Sequence, residues 1–306
     1  MTKPRLLLSV TNDKNDFQIE QVKCARQAAD RLGMALDILY AQDDGIIQSQ
    51  QLLNNIQSAA EKRPNVIIFE PAGSTALPRV ARAAGAAGIG CVVLSRDAEY
   101  IEELRSAFHV PACVVTADHE EIGRIQGRQL AALLPRGGIV LAIQGPSQSK
   151  AAELRNKGLL ATKPESIQLR VVKAHWTEAS AQKVVSSWLA LSTSRGTDVA
   201  AVCAQDDSMA MGARKAFDQS VHELRQSWLQ IPFLGCDGMP KTGQEWVRRG
   251  LLAATVLSPP TAPVAINLIA RFLQQGVMPP TRTLTETRSI PDIETLSMKA
   301  QAAAVR

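Results

Sequence analysis

The chain has 306 residues, 45% of them hydrophobic and 21% charged, with only 4% aromatic. That is a soluble globular composition with material for two ordinary domains, and it excludes a disordered or fibrous chain. The formal charge of +5 is not gathered into a basic arm or face. Arginines alternate with acids in helix-like stretches, as in Glu102, Glu103, Arg105 and Glu120, Glu121, Arg124, Arg128. Such mixing describes a solvated surface and no nucleic-acid partner.

A strand–helix alternation starts at once. Leu6 to Val10 is a short apolar run, read as a buried parallel strand. Phe17 to Leu32 carries apolar residues at helical spacing and stops at Gly33. Ala35 to Leu39 reads as strand, Ile46 to Ala60 as helix, Val66 to Phe69 as strand, Leu77 to Ala87 as helix and Cys91 to Leu94 as strand. This βα succession calls for a parallel sheet with helices on both faces. An irregular stretch follows Leu94.

The pattern then resumes. Cys113 to Val115, Ile139 to Ile143, Val171 to Ala174, Val199 to Cys203 and Phe233 to Leu234 read as strands. Ile122 to Leu134, Ser149 to Leu160, Ala179 to Leu191 and Ser208 to Phe217 read as helices. No Pro/Gly/Ser spacer separates the halves near Ala117, so the expectation is two domains joined by strand-like crossings. The Ala-rich end from Met298 to Arg306 is expected to fray.

Several chemistries lack their motifs. Five cysteines include no C-x-x-C pair, and buried reduced thiols are the expectation for Cys91, Cys113, Cys203, Cys236 and Cys24. His109, His119, His175 and His222 have no metal-ligand spacing, so no metal is expected. Gly85-Ala-Ala-Gly88-Ile-Gly90 precedes a strand where a dinucleotide fingerprint should follow one, and helix packing accounts for it. There is no phosphate loop, nucleophile elbow or H-E-x-x-H. The expectation is a non-enzyme without a cofactor, with a doubly wound enzyme kept as a rival class.

No apolar run approaches the ~20 residues of a membrane span, so no membrane insertion is expected. Leu6 to Val10 is too short for a signal-peptide core and has no small-residue cleavage site. A native start at Met1 implies the cytoplasm; an export signal removed before Met1 implies the cell envelope.

Three segments carry a resemblance. They are Thr11-Asn-Asp-Lys-Asn-Asp-Phe-Gln18, Ala204-Gln-Asp-Asp-Ser-Met-Ala-Met-Gly-Ala213, and Gly235-Cys-Asp-Gly238 with Gly250-Leu-Leu-Ala-Ala-Thr-Val256. In this order and spacing they resemble the ribose-binding-protein branch of the type I periplasmic binding proteins. That fold also forms the effector domain of lac-repressor-type regulators. The likeness runs from about Leu6 to Ile290. Each segment lies where a parallel strand ends and a helix begins, which is where open α/β sheets collect ligands.

The resemblance implies two doubly wound parallel-sheet α/β domains joined by a three-crossing hinge, with the ligand held between them. The N-terminal lobe would be 1–117 plus 258–283 and the C-terminal lobe 118–257 plus 284–306. It also implies site residues. Asn15 would bond hydroxyls and Phe17 would give a stacking face, with core packing as its rival role. Gln18 stands for a family Phe. Ser95 and Arg96, with Asp97 two places on, resemble the family's acid-plus-arginine pair; a surface arginine is the rival for Arg96. Glu153 occupies the position of a ligand arginine, whereas Arg155 matches a structural one.

Trp176 would face the sugar, with core packing as its rival. Asp206 stands for an Asn and would serve as ligand group, helix cap or both. Asp237 matches the ligand aspartate and Ser258 a glutamine. Glu153, Asp206 and Gln18 make the site more acidic and less aromatic than a ribose site. The expected ligand is therefore rich in donors: a polyol, an amino sugar or a small cation, and not ribose.

The function implied is a monomeric receptor for a sugar or related small polar molecule, serving an ABC-type importer or a signalling partner. The alternative is a cytoplasmic ligand sensor of the same fold acting on a partner protein. The chain starts directly at the first strand, so a sensor would lack a DNA-binding domain.

Overall fold

The computed structural model describes residues 3–73, 76–191, 198–220 and 225–304; His222 lies outside them. The chain forms two compact units, Met1–Ala117 with Pro260–Thr285, and Asp118–Pro259 with Glu286–Arg306. It therefore passes from one unit to the other three times. The second passage falls at 259/260 and the third at 285/286, two residues beyond the boundaries expected from the sequence.

Unit 1 is built on β1 (Arg5–Val10), β2 (Ala35–Tyr40), β3 (Val66–Phe69), β4 (Gly90–Leu94), β5 (Ala112–Ala117) and β11 (Arg282–Thr285). These form one parallel sheet in the order β11-β5-β4-β3-β1-β2. Alternate strand residues face opposite sides, so one run of letters serves two cores. Leu6, Leu8, Ile68 and Val92 pack with α1 (Asp16–Arg31) and α11 (Ala262–Gln275). Leu7, Ile67, Phe69 and Val93 pack with α2 (Gly45–Ile56), α3 (Pro78–Ala86) and α4 (Ile101–Phe108).

Unit 2 repeats the plan with fewer strands. β6 (Gly138–Gln144), β7 (Ile167–Lys173), β8 (Val199–Ala204) and β9 (Phe233–Leu234) form a parallel sheet in the order β7-β6-β8-β9. One face is covered by α7 (Glu178–Leu189), α8 (Asp207–Asp218) and Trp228 of α9 (Arg225–Trp228). The other is covered by α5 (His119–Leu133), α6 (Lys150–Thr162) and Leu296 of α12 (Ile293–Ala304). An antiparallel pair, β10 (Thr255–Leu257) with β12 (Arg288–Ile290), continues the β9 side through bridges Leu234–Ala254 and Asp237–Leu257. Between β9 and β10 lies α10 (Gly243–Arg248).

Helices α5 and α6 touch backbone to backbone. A Cβ on Gly123 would lie 1.9 Å from the Arg155 carbonyl oxygen, and one on Gly158 equally close to that of Glu120. Only glycine permits this approach, and it fixes where α6 carries Arg155.

The structure corrects the sequence reading in several places. The stretch after Leu94 is not irregular throughout, since it holds α4. The second helix ends at Ile56, and a 3-10 turn, Ala60–Lys62, follows it. β7 begins at Ile167 and not at Val171. α11 and the strands β10, β11 and β12 had no assignment. The tail is helical to Ala304, anchored by the buried Leu296. All five cysteines are free thiols; four are buried and Cys24 is half-buried. Gly85 packs against Phe108 and Leu104 of α4, as helix packing requires.

Candidate ligand-binding site

In unit 1 the sheet changes winding direction between β1 and β3, and ligands of open α/β sheets collect outside the strand ends at such a point. Asn15 follows β1 there as the N-cap of α1. Its Oδ1 accepts from the N–H of Phe17 at 2.9 Å and of Gln18 at 3.3 Å, so a capping bond already uses the oxygen expected to meet hydroxyls. Phe17 is half-buried and belongs to neither apolar cluster of unit 1. Gln18 is 5% exposed, and its buried Oε1 has no partner.

Ser95 follows β4 with φ 58°, its N–H donating to the Val115 carbonyl at 2.9 Å. Arg96 is half-buried; burial lowers its pKa and the charge of Glu70 opposes that. Asp97 is exposed and pairs with Arg282 at 3.0 Å.

Glu70, at the exit of β3, was not singled out in the sequence. Two fully buried glutamines hold it. Gln21 Nε2 donates to Glu70 Oε2 at 2.7 Å, and Gln48 Nε2 donates to the Glu70 carbonyl at 2.8 Å. Gln48 also donates to Ser9 Oγ at 3.0 Å and accepts from the Ala72 N–H at 2.8 Å. One signal was available: an acid directly ending a wholly apolar strand, Val66-Ile-Ile-Phe69-Glu70.

In unit 2 a denser cluster forms around Arg155, which is 7% exposed. Its Nη1 donates to the Gln205 carbonyl, its Nη2 lies 3.6 Å from Asp237 Oδ1, and its Nε has no partner. The guanidinium stands 5.6 Å from the Trp176 ring centroid, within cation–π range. Trp176 is half-buried at φ 55°. A Cβ on Gly145, at the exit of β6, would lie 2.2 Å from that ring. Gln205, also buried, accepts from the Gly145 N–H at 3.0 Å and donates to the Ala152 carbonyl at 3.0 Å.

Three carboxyl groups stand around this arginine, Asp206 and Asp207 buried and Asp237 half-buried. Asp206 caps α8, accepting from the Met209 N–H at 3.0 Å. Asp207 accepts from the Gly238 N–H at 2.7 Å and from Thr255 Oγ1 at 2.6 Å, tying the β8 and β9 exits to the start of β10. Asp237 has φ 101°, and its carbonyl accepts from the N–H of Ser258 at 3.0 Å. Ser258 is itself only 2% exposed.

Burial, then the charge of Asp237, pushes the pKa values of Asp206 and Asp207 well above the carboxylate range. Burial also raises Asp237, against Arg155 and a hydrogen bond with Asp206. For Arg155, burial works against the charge, but Cys236 and the three aspartates outweigh it and the pKa rises. Burial also raises the Cys236 thiol well above its ordinary value.

The structure thus gathers Trp176, Asp206, Asp237 and Ser258 at the strand exits of unit 2, with Arg155 at their centre. Glu153 is not among them. Its side chain is 65% exposed and pairs with Lys150 at 2.6 Å. Asn15, Phe17, Gln18, Ser95 and Arg96 lie at the strand exits of unit 1.

Backbone geometry marks the same places. Among the described residues seven non-glycines have positive φ, and Ser95, Trp176 and Asp237 are three of them. Such conformations cost of order 1–3 kcal/mol and gather at functional sites. Among the described residues no group of three or more His, Cys, Asp or Glu could hold a metal ion, and no helix is long and apolar enough to cross a membrane.

Residues 6–276 match the periplasmic binding protein domain. The chain belongs to that family. The ribose import binding protein of Escherichia coli (strain K12) is 26% identical over 260 residues, covering 85% of this chain and 81% of the relative. Among solved structures, an ABC transporter periplasmic solute binding protein from Actinobacillus succinogenes with bound D-allose superposes with a TM-score of 0.78. Its identity is 22%, with 97% of this chain and 100% of the other covered. An ABC transporter solute binding protein from Bacillus halodurans with bound myo-inositol gives a TM-score of 0.75 at 20% identity, covering 97% and 98%. These structures share the fold: two parallel-sheet α/β domains of the type I periplasmic binding proteins.

Proposed function

We propose that this protein is a solute-binding receptor that captures a sugar, polyol or amino sugar without changing it and serves an ABC-type importer. The observation that carries the reading is the set at the strand exits of unit 2, buried Asp206 and Arg155 with half-buried Asp237 and Trp176. Carboxylates accept from ligand hydroxyls or ammonium groups, a guanidinium donates to them, and an indole covers an apolar C–H face. In this reading the set recognises and releases its ligand. The unit 1 exits supply Asn15, Phe17, Gln18, Ser95 and Arg96, to which Glu70 is added.

The chemistry of the set refines the ligand. Asp206 and Asp237 stand beside one arginine, and their carboxyl oxygens favour a molecule rich in O–H or N–H groups. The names of relatives and neighbours, covering ribose import, D-allose and myo-inositol, support the polyhydroxylated class and, through the importer context, a cell-envelope location.

A thermal-shift panel of D-ribose, D-allose, myo-inositol and D-glucosamine, followed by recovery of the ligand, tests the proposal. A ligand at 100 times its dissociation constant adds about 2.7 kcal/mol of stability. The expected result is a clear rise in Tm with at least one compound, which is then recovered unchanged. Recovery of a converted product would refute the receptor assignment.

A further inference from the structure

Gln21 lies on the inner face of α1 and is fully buried. Both ends of its amide are engaged. Nε2 donates to Glu70 Oε2 at 2.7 Å. Oε1 accepts from Thr261 N at 2.8 Å, Thr261 Oγ1 at 3.0 Å and Ala262 N at 3.1 Å. Glu70 ends β3 at the ligand edge, close enough to Arg96 for its charge to act there. Thr261 and Ala262 open α11, directly after the chain re-enters unit 1 at Pro260.

The helix start needs this oxygen. Thr261, the N-cap of α11, makes no capping bond with its own side chain. The first N–H groups of a helix have no partner within it and must find one elsewhere. Gln21 supplies it from another helix, 240 residues away in sequence. The amide is also polarised: turned over, it would set its oxygen against the Glu70 carboxylate and its N–H groups against three donors. Its orientation therefore depends on both partners at once.

We infer that Gln21 is a positioning residue that couples the Glu70 carboxylate at the ligand edge to the cap of α11, beside the point where the chain crosses between units. Turning Glu70 away removes the acceptor that orients the amide, and the cap loosens. A ligand that engages Glu70 is thereby reported to the crossing segment. The use made of the coupling rests on the proposed receptor function; the coupling itself is measurable with no ligand present.

The test is amide hydrogen exchange at Thr261 and Ala262 in the full chain. Gln21→Glu sets two carboxylates face to face and should speed exchange there about tenfold or more, the weight of a hydrogen bond to a charged group. Combining Gln21→Glu with Glu70→Gln exchanges donor and acceptor while keeping the bond between the two side chains and the three bonds to Thr261 and Ala262. That pair should return exchange to within about twofold of the original chain. A glutamine that merely fills space gives no such rescue. Unchanged exchange in Gln21→Glu, or a swapped pair that stays unprotected or does not fold, overturns the inference. Protection in the swapped pair supports it even where Gln21→Glu alone does not fold.

Discussion

The guanidinium of Arg155 stands 5.6 Å from the ring centroid of Trp176, so the aromatic at the unit 2 strand exits has a buried cation beside it. That cation also lies 3.6 Å from Asp237 and donates to the Gln205 carbonyl. The resemblance gave Arg155 a structural role and Glu153 the ligand position; the geometry puts Arg155 among the candidate ligand groups and Glu153 in solvent. Charge, ring and strand ends are thus held by one side chain, and the consequences are measurable.

Replacing that side chain should be costly. Arg155→Met leaves the buried Asp206 and Asp207 and the half-buried Asp237 without their cation, and breaking a buried pair in this way costs about 3–5 kcal/mol. Urea unfolding at pH 7 should show the loss. It should shrink toward pH 4, where the carboxyl groups take up protons. A loss below 1 kcal/mol at pH 7 would show that the cluster is solvated.

Asp206 and Asp237 set a pH dependence. Burial raises both pKa values above the unfolded value of about 3.9. Their contribution to stability is therefore fully present below about pH 4 and lost as pH rises through the folded values. Asp206→Asn keeps the oxygen that caps Met209 and removes one charge. It should stabilise the protein at pH 8, where the buried charge is unfavourable. Below pH 4 it should have little effect. Denaturation profiles of the two proteins that run parallel across pH would contradict this account.

Gly145→Ala tests how Trp176 is held. The added methyl would sit 2.2 Å from the ring, so the indole must shift at a cost of about 1–3 kcal/mol. Tryptophan emission should change along with stability, while the bond from the residue 145 N–H to Gln205 survives. Unchanged emission would mean that the ring does not rest there.

Much of the fold was legible because short apolar runs such as Val66-Ile-Ile-Phe69 stand between polar breaks, and a buried parallel strand needs little more. α4 was not, for a physical reason. Its N-cap, Tyr100, makes no side-chain cap bond, and the residue after it in the left-handed region is His109, not glycine. α11 carries better signals, Pro263 in its first turn and Gly276 at its end. β7 is the edge strand of its sheet, with an exposed pattern that hides its first residues.

The candidate site was legible where a strand exit coincides with an unusual letter, as at Trp176, Asp206 and Asp237. Glu70 and Gln21 escaped because their meaning lies in partners 49 and 240 residues apart, which no local pattern records.

The most direct test of the receptor assignment is titration calorimetry of the intact chain with D-ribose, D-allose, myo-inositol and D-glucosamine, repeated on Asp237→Asn. Asparagine tolerates the positive φ that Asp237 adopts, so the exchange removes charge and leaves the turn. The account predicts one-to-one binding of at least one compound, weakened about 30-fold or more in the variant, as expected for a hydrogen bond to a buried charge. No binding by any compound, or equal affinity in the two proteins, would contradict it.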